Sequence, residues 1–419
     1  MLDRKFLREN RNLVTAAVAA KRETVDIAAY YSLDAERRAA LQEAELLQAE
    51  VNQASRRISE AKKAGEETAP AIARMREVTE RLKGLKTRAA DLDAEVEQLY
   101  ERIPNLPDPD VPVGGEDQNV VVRTWGEPRR LPFPALAHWD LGAELGLLDA
   151  EAPARMSGSG FSLLRGDLAR LERALINWFL DTHRAAGYVE VAVPYLVSPA
   201  AMLGTGQLPK LADDMYRCVD DDLYLIPTAE VSVTNIHREC TLAESDLPLR
   251  YCAFSPCFRR EAGAAGKDTR GLLRMHQFHK VELVHFTHPD HSRQALADLT
   301  ADAEKLLQRL DLPYRVVLLA SGDLSFAAAR CHDLEVWSPG VAQWLEVSSC
   351  SCFGDFQARR AQIRWKGPTG RGYVHTLNGS ALALPRVIVA IMENYQTADG
   401  KIAVPAVLRP YLDGLEQIG

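Results

Sequence analysis

The stretch RYCAFSPCFRREAGAAGKDTRGLLRMHQFHKVELVHF, Arg250 to Phe286, carries the decisive pattern. Two runs rich in apolar residues flank a glycine-rich segment. Such runs read as two long antiparallel strands joined across a turn. Charge is interleaved along them: Arg259 and Glu261 before the turn, Arg274 and Glu282 after it, with Phe278 between. An exposed hairpin accounts for the charge. A site for a polyphosphate and a flat ring accounts for the arginines, the glycines and the aromatic residue together.

Outward from this stretch the periods stay mixed. LERALINWFLDTHRAAG, Leu171 to Gly187, reads as an amphipathic helix ended by glycine. YVEVAVPYLV reads as a strand with Pro194 at an edge or a subunit contact. DDLYLIP reads as a short strand, and Thr228 to Cys240 as a helix. HDLEVWSP, AQWLEVSSCSC and RGYVHTLNG add strands, and ALALPRVIVAIMENYQ is a helix. No GxGxxG follows a strand and no GxxxxGK[ST] occurs, so neither a dinucleotide fold nor a P-loop is expected. The class is α+β, built on an antiparallel or mixed sheet with helices outside it.

The first hundred residues differ. Glycine is scarce, and Ala, Glu, Gln, Arg and Lys dominate. Apolar positions step by three and four through Ala40, Ala44, Leu47, Val51, Ala54, Ile58 and Ala61. They resume at Ile72, Met75, Val78, Leu82, Leu85, Ala89, Leu92, Val96, Leu99 and Ile103. The spacing predicts a long antiparallel coiled-coil hairpin, arms about 33–62 and 70–103, reaching roughly 45–55 Å. Arg56, Arg57, Lys62, Lys63, Arg74, Arg76, Arg81 and Lys83 crowd its outer half. They form either a solvated helix face or a surface that follows a phosphate backbone. The domains expected are 1–103, a linker over 104–135 whose VVVRTW run pairs onto the next domain, and 136–419.

Bulk properties set limits. At 419 residues, 47% apolar and 26% charged, the chain has room for two or three domains. A net charge of -8 excludes a uniformly basic nucleic-acid binder and leaves room for a local basic surface. Seven scattered cysteines fit a reducing interior. No apolar run spans a membrane and the start lacks a signal-peptide core, so a cytoplasmic protein is expected.

The ordered set of TAE (Thr228 to Glu230), FRREAGAAGKDTRG, RMHQFHKVE, DLEVW, SSCS and TLNGSALALPR, behind a helical hairpin, resembles the bacterial-type seryl-tRNA synthetases, a class II aminoacyl-tRNA synthetase family. The resemblance covers nearly the whole chain. It implies an antiparallel catalytic sheet with flanking helices, activation of L-serine with ATP and Mg²⁺, and transfer to serine tRNA. It implies a homodimer with Pro194 in the dimer motif and the tRNA held across subunits by the hairpin.

The resemblance also implies roles for residues. Arg259, Arg386 and Glu346 match catalytic positions. Arg259, Glu261, Arg274, Phe278, Glu346, Ser349 and Arg386 match the ATP site, with Phe278 stacking on adenine. Glu346 and Ser349 are hard oxygen ligands suited to Mg²⁺. Thr228, Glu230, Arg259, Glu282, Asn378 and Ser380 match the serine pocket. A pocket built on hydrogen bonds to the serine hydroxyl rejects alanine strongly, so no editing domain is expected. Cys350 and Cys352 lack a matching second pair, so no structural zinc is expected. Cys252 and Cys257 read as buried thiols.

Four places depart from the family pattern. Leu345 stands where an arginine is common, and Cys352 and Phe353 follow SSCS in place of the usual residues. Arg330 and His332 stand where Lys and Tyr are frequent. Gly160, in GSGF, replaces an arginine. These leave room for a specialised paralogue, including one that serves a carrier protein, although the intact hairpin favours tRNA. The rival of another class is a non-catalytic RNA- or partner-binding protein on the same scaffold. Retention of Arg259, Glu346 and Arg386 speaks against it.

Overall fold

The computed structural model describes residues 1–149, 151–262 and 270–419. The glycine-rich turn expected to join the two long strands lies outside the described residues. The chain forms two compact units, Asp3–Pro104 and Asn105–Gly419, the second including Met1 and Leu2.

In the smaller unit, two short helices, Arg4–Glu9 and Arg11–Ala20, precede α1 (Ile27–Lys63) and α2 (Ala69–Tyr100). α1 starts earlier than the expected arm because Asp26 caps it, its carboxylate accepting the Ala29 N–H at 2.9 Å. Gly65, in the left-handed region at φ +76°, makes the turn between the arms. Pro70 sits in the first turn of α2, where its missing N–H costs nothing. The predicted seam is the buried one. Ala40 of α1 packs with Ala89 and Leu92 of α2, and Ala44 and Ile58 of α1 and Leu82 and Val96 of α2 are buried along the arms. Ion pairs such as Arg37–Asp93 (2.9 Å) and Arg88–Glu36 (3.3 Å) cross between the arms. Exposed pairs of this kind contribute about 1 kcal/mol or less, so the apolar stripe holds the hairpin together.

The larger unit is organised by an eight-stranded sheet. Its strands are β1 (Val120–Trp125), β2 (Val189–Glu190), β3 (Leu249–Phe258), β4 (Gln277–Thr287), β5 (Tyr314–Leu318), β6 (Arg330–Ser338), β7 (Gln343–Cys352) and β8 (His375–Ala383). Their order is β1-β5-β6-β7-β8-β4-β3-β2. All neighbours are antiparallel except the parallel β2–β3 pair. Of the 104–135 stretch, expected as a linker, all but Pro104 belongs to this unit. Asn105 is buried, its Nδ2 donating to the carbonyls of Ala327 (2.9 Å) and Phe353 (2.8 Å). The VVVRTW run is edge strand β1 and pairs with β5.

Five helices matter for the site: α3 (His138–Glu144), α4 (Gly166–Ala185), α5 (Ala229–Thr234), α6 (Ser292–Arg309) and α7 (Leu384–Asn394). α4, α6 and α7 bury Trp178, Leu299 and Ile388 in one core with Val281 and Leu283 of β4. Val284 and Phe286, farther along β4, join a second cluster with Ala229 and Ile363.

Several expected elements come out shorter, among them the helix expected from Ala381, which starts at Leu384 because Ala381–Ala383 finish β8. The helix from Thr228 stops at Thr234, where Asn235 turns its amide back to the carbonyl of Val231 (2.8 Å). The strand around Pro194 survives only as Val189–Glu190 and Leu196–Val197, since proline offers no N–H to a ladder. RGYVHTLNG breaks at Val374 into a small-sheet strand, Gly370–Tyr373, and β8. No helix among the described residues is long and apolar enough to cross a membrane.

Two β-bulges adjust which side chains share a face. On β7, Ser348 pairs with Leu334 but Glu346 pairs with Glu335, so Val347 is the extra residue. Strict alternation would send Glu346 and Ser349 to opposite faces; the bulge puts both at the same cavity. On β8, Ser380 pairs with Glu282 and Ala383 with Lys280, which leaves an extra residue at Ala381–Leu382. Leu382 takes φ +66°, a conformation a leucine adopts only under constraint from its surroundings.

Candidate active site

A cavity of about 530 Å³ opens on the face of β4 that carries Phe278, Lys280 and Glu282. The alternating charge of the opening stretch is thus the period of a strand with one face on the core and the other on the cavity. All twelve residues expected in the ATP and serine sites line this one cavity.

Three arginines converge on it. Arg259 follows β3, its backbone N–H donating to the His276 carbonyl at 2.9 Å. Its guanidinium carbon lies 5.1 Å from the centre of the Phe278 ring. Arg259 has no ion pair among the described residues. Arg274 donates through Nη1 to Glu261 Oε2 at 2.7 Å. Arg386, in the first turn of α7, donates through Nη1 to the Glu346 carbonyl at 2.7 Å and to its carboxylate at 3.2 Å. The fork geometry of arginine suits phosphate and carboxylate oxygens, and these three are held ready by carbonyls and single carboxylates.

A second group is acidic and buried. Glu230, on α5, accepts from Gln357 Nε2 at 2.6 Å. Glu282 Oε2 accepts from Thr228 Oγ1 at 3.2 Å and pairs with Lys280. Glu282 Oε1 is buried with no hydrogen-bond partner among the described residues. Burial, reinforced by the neighbouring Glu282 carboxylate, pushes Glu230 up to about 7. A buried acceptor with a spare oxygen is a place for an ammonium group. Ser380 stands directly opposite Glu282 on β8, and Asn378 lies two residues before it.

A third group collects hard oxygens. Ser349 Oγ sits 3.0 Å from Cys331 Sγ, and Asp333 lies opposite Ser349 on β6. Burial and the nearby Glu346 push the Asp333 carboxyl well above its ordinary range. Two carboxyl groups and a hydroxyl crowd together here, and a divalent cation would relieve their repulsion. The residue types therefore fit Mg²⁺, which Glu346 and Ser349 would hold and which would supply neutralising charge.

Lys280, Asp333 and Gln357 escaped the sequence reading. The signal for Lys280 was present, since it shares its strand parity with Phe278 and Glu282. Gln357 reaches Glu230 from a separate short helix, Phe356–Ala361, and no sequence spacing announces that contact. Cys350 and Cys352 belong to the main core, and burial pushes their thiols up to about 12 and about 11. Cys252 and Cys257 are fully buried.

The departures from the family pattern have local explanations. Leu345 is buried in the main core, and Phe353 lines the cavity. Arg330 pairs with Asp110 at 2.7 Å. Burial lowers His332 to about 4. Gly160 takes φ +81°, and a Cβ there would fall 2.1 Å from the His276 ring, so a larger residue needs both to shift.

In the smaller unit, Arg56, Arg57, Lys62, Lys63, Arg74, Arg76, Arg81 and Lys83 are all exposed. Arg74 pairs with Glu50 and Arg81 with Glu43. The other six have no ion pair among the described residues. Pro194, in the larger unit, is exposed beside exposed Tyr195 and Leu196.

Residues 216–395 match the model of the tRNA synthetase class II core domain (G, H, P, S and T), and residues 1–107 that of the seryl-tRNA synthetase N-terminal domain. The chain is 51% identical to the serine–tRNA ligase of Pelobacter propionicus, covering 100% of both chains. It is also 51% identical to that of Thermomicrobium roseum, over 100% of this chain and 95% of the relative. Among solved structures, seryl-tRNA synthetase from Pyrococcus horikoshii complexed with ATP superposes with a TM-score of 0.94 at 38% identity, covering 100% of this chain and 99% of the other. The cytoplasmic serine–tRNA ligase from Naegleria fowleri in complex with AMP gives 0.88 at 29% identity, with 100% and 98% covered.

Proposed function

The chain belongs to the seryl-tRNA synthetase family of class II aminoacyl-tRNA synthetases, and from that premise we propose that the 530 Å³ cavity is the site of its chemistry. The activity is ATP-dependent activation of L-serine to seryl-adenylate, followed by transfer of serine to the 3′ end of serine tRNA. The observation that carries the assignment of the site is the meeting in one cavity of three arginines and a buried acid pair with an unpartnered carboxylate oxygen.

In the first half-reaction a serine carboxylate oxygen attacks the α-phosphorus of ATP. A new P–O bond forms, the bond to the bridging oxygen breaks, and pyrophosphate leaves. The nucleophile is already ionised, so the protein's task is to hold two anions together rather than to remove a proton. Arg259 bridges the α-phosphate and the serine carboxylate. Arg274 and Arg386 take the outer phosphates, which compete with Glu261 and Glu346 for them. Phe278 stacks on adenine, and Glu261 accepts from its amino group. Glu346 and Ser349 would hold Mg²⁺, which supplies charge neutralisation on the phosphates.

Serine is held by its ammonium on Glu282, with Glu230 and Thr228 beside it, and by its hydroxyl among Asn378 and Ser380. Alanine leaves those polar groups unpaired, which discriminates by about 10⁴ in sites of this kind. Threonine is refused for lack of room. The hairpin's exposed basic residues bind the tRNA body by shape and charge. The enzyme works as a homodimer with Pro194 in the interface, each hairpin serving the partner's cavity, in the cytoplasm.

The test is transfer of labelled serine to bulk tRNA with ATP and Mg²⁺, with alanine and threonine as competitors. Charging with serine alone supports the assignment; charging with another amino acid moves the substrate while keeping the chemistry. A folded protein that charges nothing contradicts it.

A further inference from the structure

We propose that His138, at the start of α3, is a positioning residue that fixes the segment carrying Arg274 against the helix carrying Arg386; this deepens the site assignment above and rests on it. His138 is fully buried. Its backbone N–H and its Nδ1 both lie 2.9 Å from Glu393 Oε1. A carboxylate only accepts, so Nδ1 carries the proton and Nε2 is left as an acceptor. Nε2 takes the Leu272 backbone N–H at 3.1 Å. One ring thereby ties α7 to the chain that enters β4.

Each end of this tie is itself fixed. Glu393 Oε2 accepts the N–H groups of Gly340 (2.8 Å) and Val341 (3.2 Å) and the Ser338 hydroxyl. Burial alone would raise the Glu393 carboxyl, yet hydrogen bonds from His138 and Ser338 hold it below its ordinary range. Glu393 lies two helical turns beyond Arg386 on the same helix. On the other end, Leu273, next to Leu272, gives its carbonyl to Arg386 Nε at 3.4 Å, and Arg274 follows. The residues after His138 hold the same segment: the Arg270 guanidinium lies 4.6 Å from the centre of the Trp139 ring and donates to Asp140 at 3.1 Å. Gly271 takes φ +65°, and a Cβ there would fall 2.2 Å from His138 Nε2, so the approach needs glycine.

A histidine that merely fills the core affects stability and the active fraction. A positioning residue affects the binding of one substrate. Asn at 138 keeps a donor near Glu393 but cannot reach Leu272. Gln carries its acceptor to about where Nε2 stands. The experiment is serine-dependent pyrophosphate exchange with the full chain, varying ATP and serine separately, with melting temperatures alongside. For H138N the KM for ATP is expected to rise about tenfold while the KM for serine stays put. H138Q should recover most of the loss. A folded H138N with an unchanged KM for ATP overturns the inference, as does an equal rise in both KM values. If H138N does not fold, D140A takes its place: a two- to threefold rise in the KM for ATP supports the tie, and no change overturns it. Absence of exchange in the unaltered protein would instead overturn the site assignment.

Discussion

The hairpin and the cavity are built by opposite uses of periodicity. In the hairpin, the three-four stepping that buries Ala40, Ala44, Leu82 and Leu92 also throws every expected basic residue outward. Its surface follows from an unbroken rule. In the cavity, β4 keeps the period of two, but β7 and β8 break it, at Val347 and at Ala381–Leu382. Without the break at Val347, Glu346 and Ser349 would lie on opposite sides of the sheet. A surface made by regularity spreads its function over many residues, whereas a site made by interruptions concentrates it on a few.

The comparison predicts large effects at single cavity positions and small ones at single hairpin positions. On the proposed role, in which one fork serves both reactants, R259A should lower serine-dependent pyrophosphate exchange by about 10³-fold or more. A loss below tenfold would mean that function is spread through the cavity as well. E346Q should cost about 10²-fold and raise the Mg²⁺ concentration needed for half-maximal exchange. An unchanged Mg²⁺ requirement would remove Glu346 from that role.

On the hairpin, Gln at Arg56, Arg57, Lys62 and Lys63 together should lower kcat/KM for tRNA by about ten- to a hundredfold and flatten its salt dependence. Exchange without tRNA should be unaffected. Any single one of these changes should be barely measurable, and a large effect from one would overturn the distributed picture.

The smallest expected effect is on stability. Glu230 has a folded-state pKa near 7, above its ordinary 4.5. The folded protein therefore favours the protonated acid. The stability this group contributes is complete below about pH 4.5 and is lost as the pH rises through 7, a difference of about 3 kcal/mol. E230Q should melt with the native protein at pH 4.5 and a few degrees above it at pH 8. Equal melting at both values would mean that Glu230 is not held neutral by its surroundings.

What could be read in advance follows the same division. The seam, the two arms, β3, β4 and α7 were legible because each obeys one period over many residues. The start of α1 was not, since the Asp26 cap precedes the periodic run. The 104–135 stretch lacks a period, yet Asn105 anchors it through two carbonyls distant in sequence. At the cavity, Arg259, Glu282 and Arg386 were legible through the family pattern. The shared face of Glu346 and Ser349 was not legible from alternation, because the bulge at Val347 is set by pairing with β6. Gln357 on Glu230 depends on a contact across 127 residues.

The most direct test is serine-dependent exchange of labelled pyrophosphate into ATP by the full chain with no tRNA present, with alanine, threonine, cysteine and glycine run in parallel. Exchange with serine and little with the others is predicted, since the cavity brings together the arginines and buried acids on which the proposed activation rests. A folded protein that binds ATP yet shows no exchange with any amino acid would contradict the account.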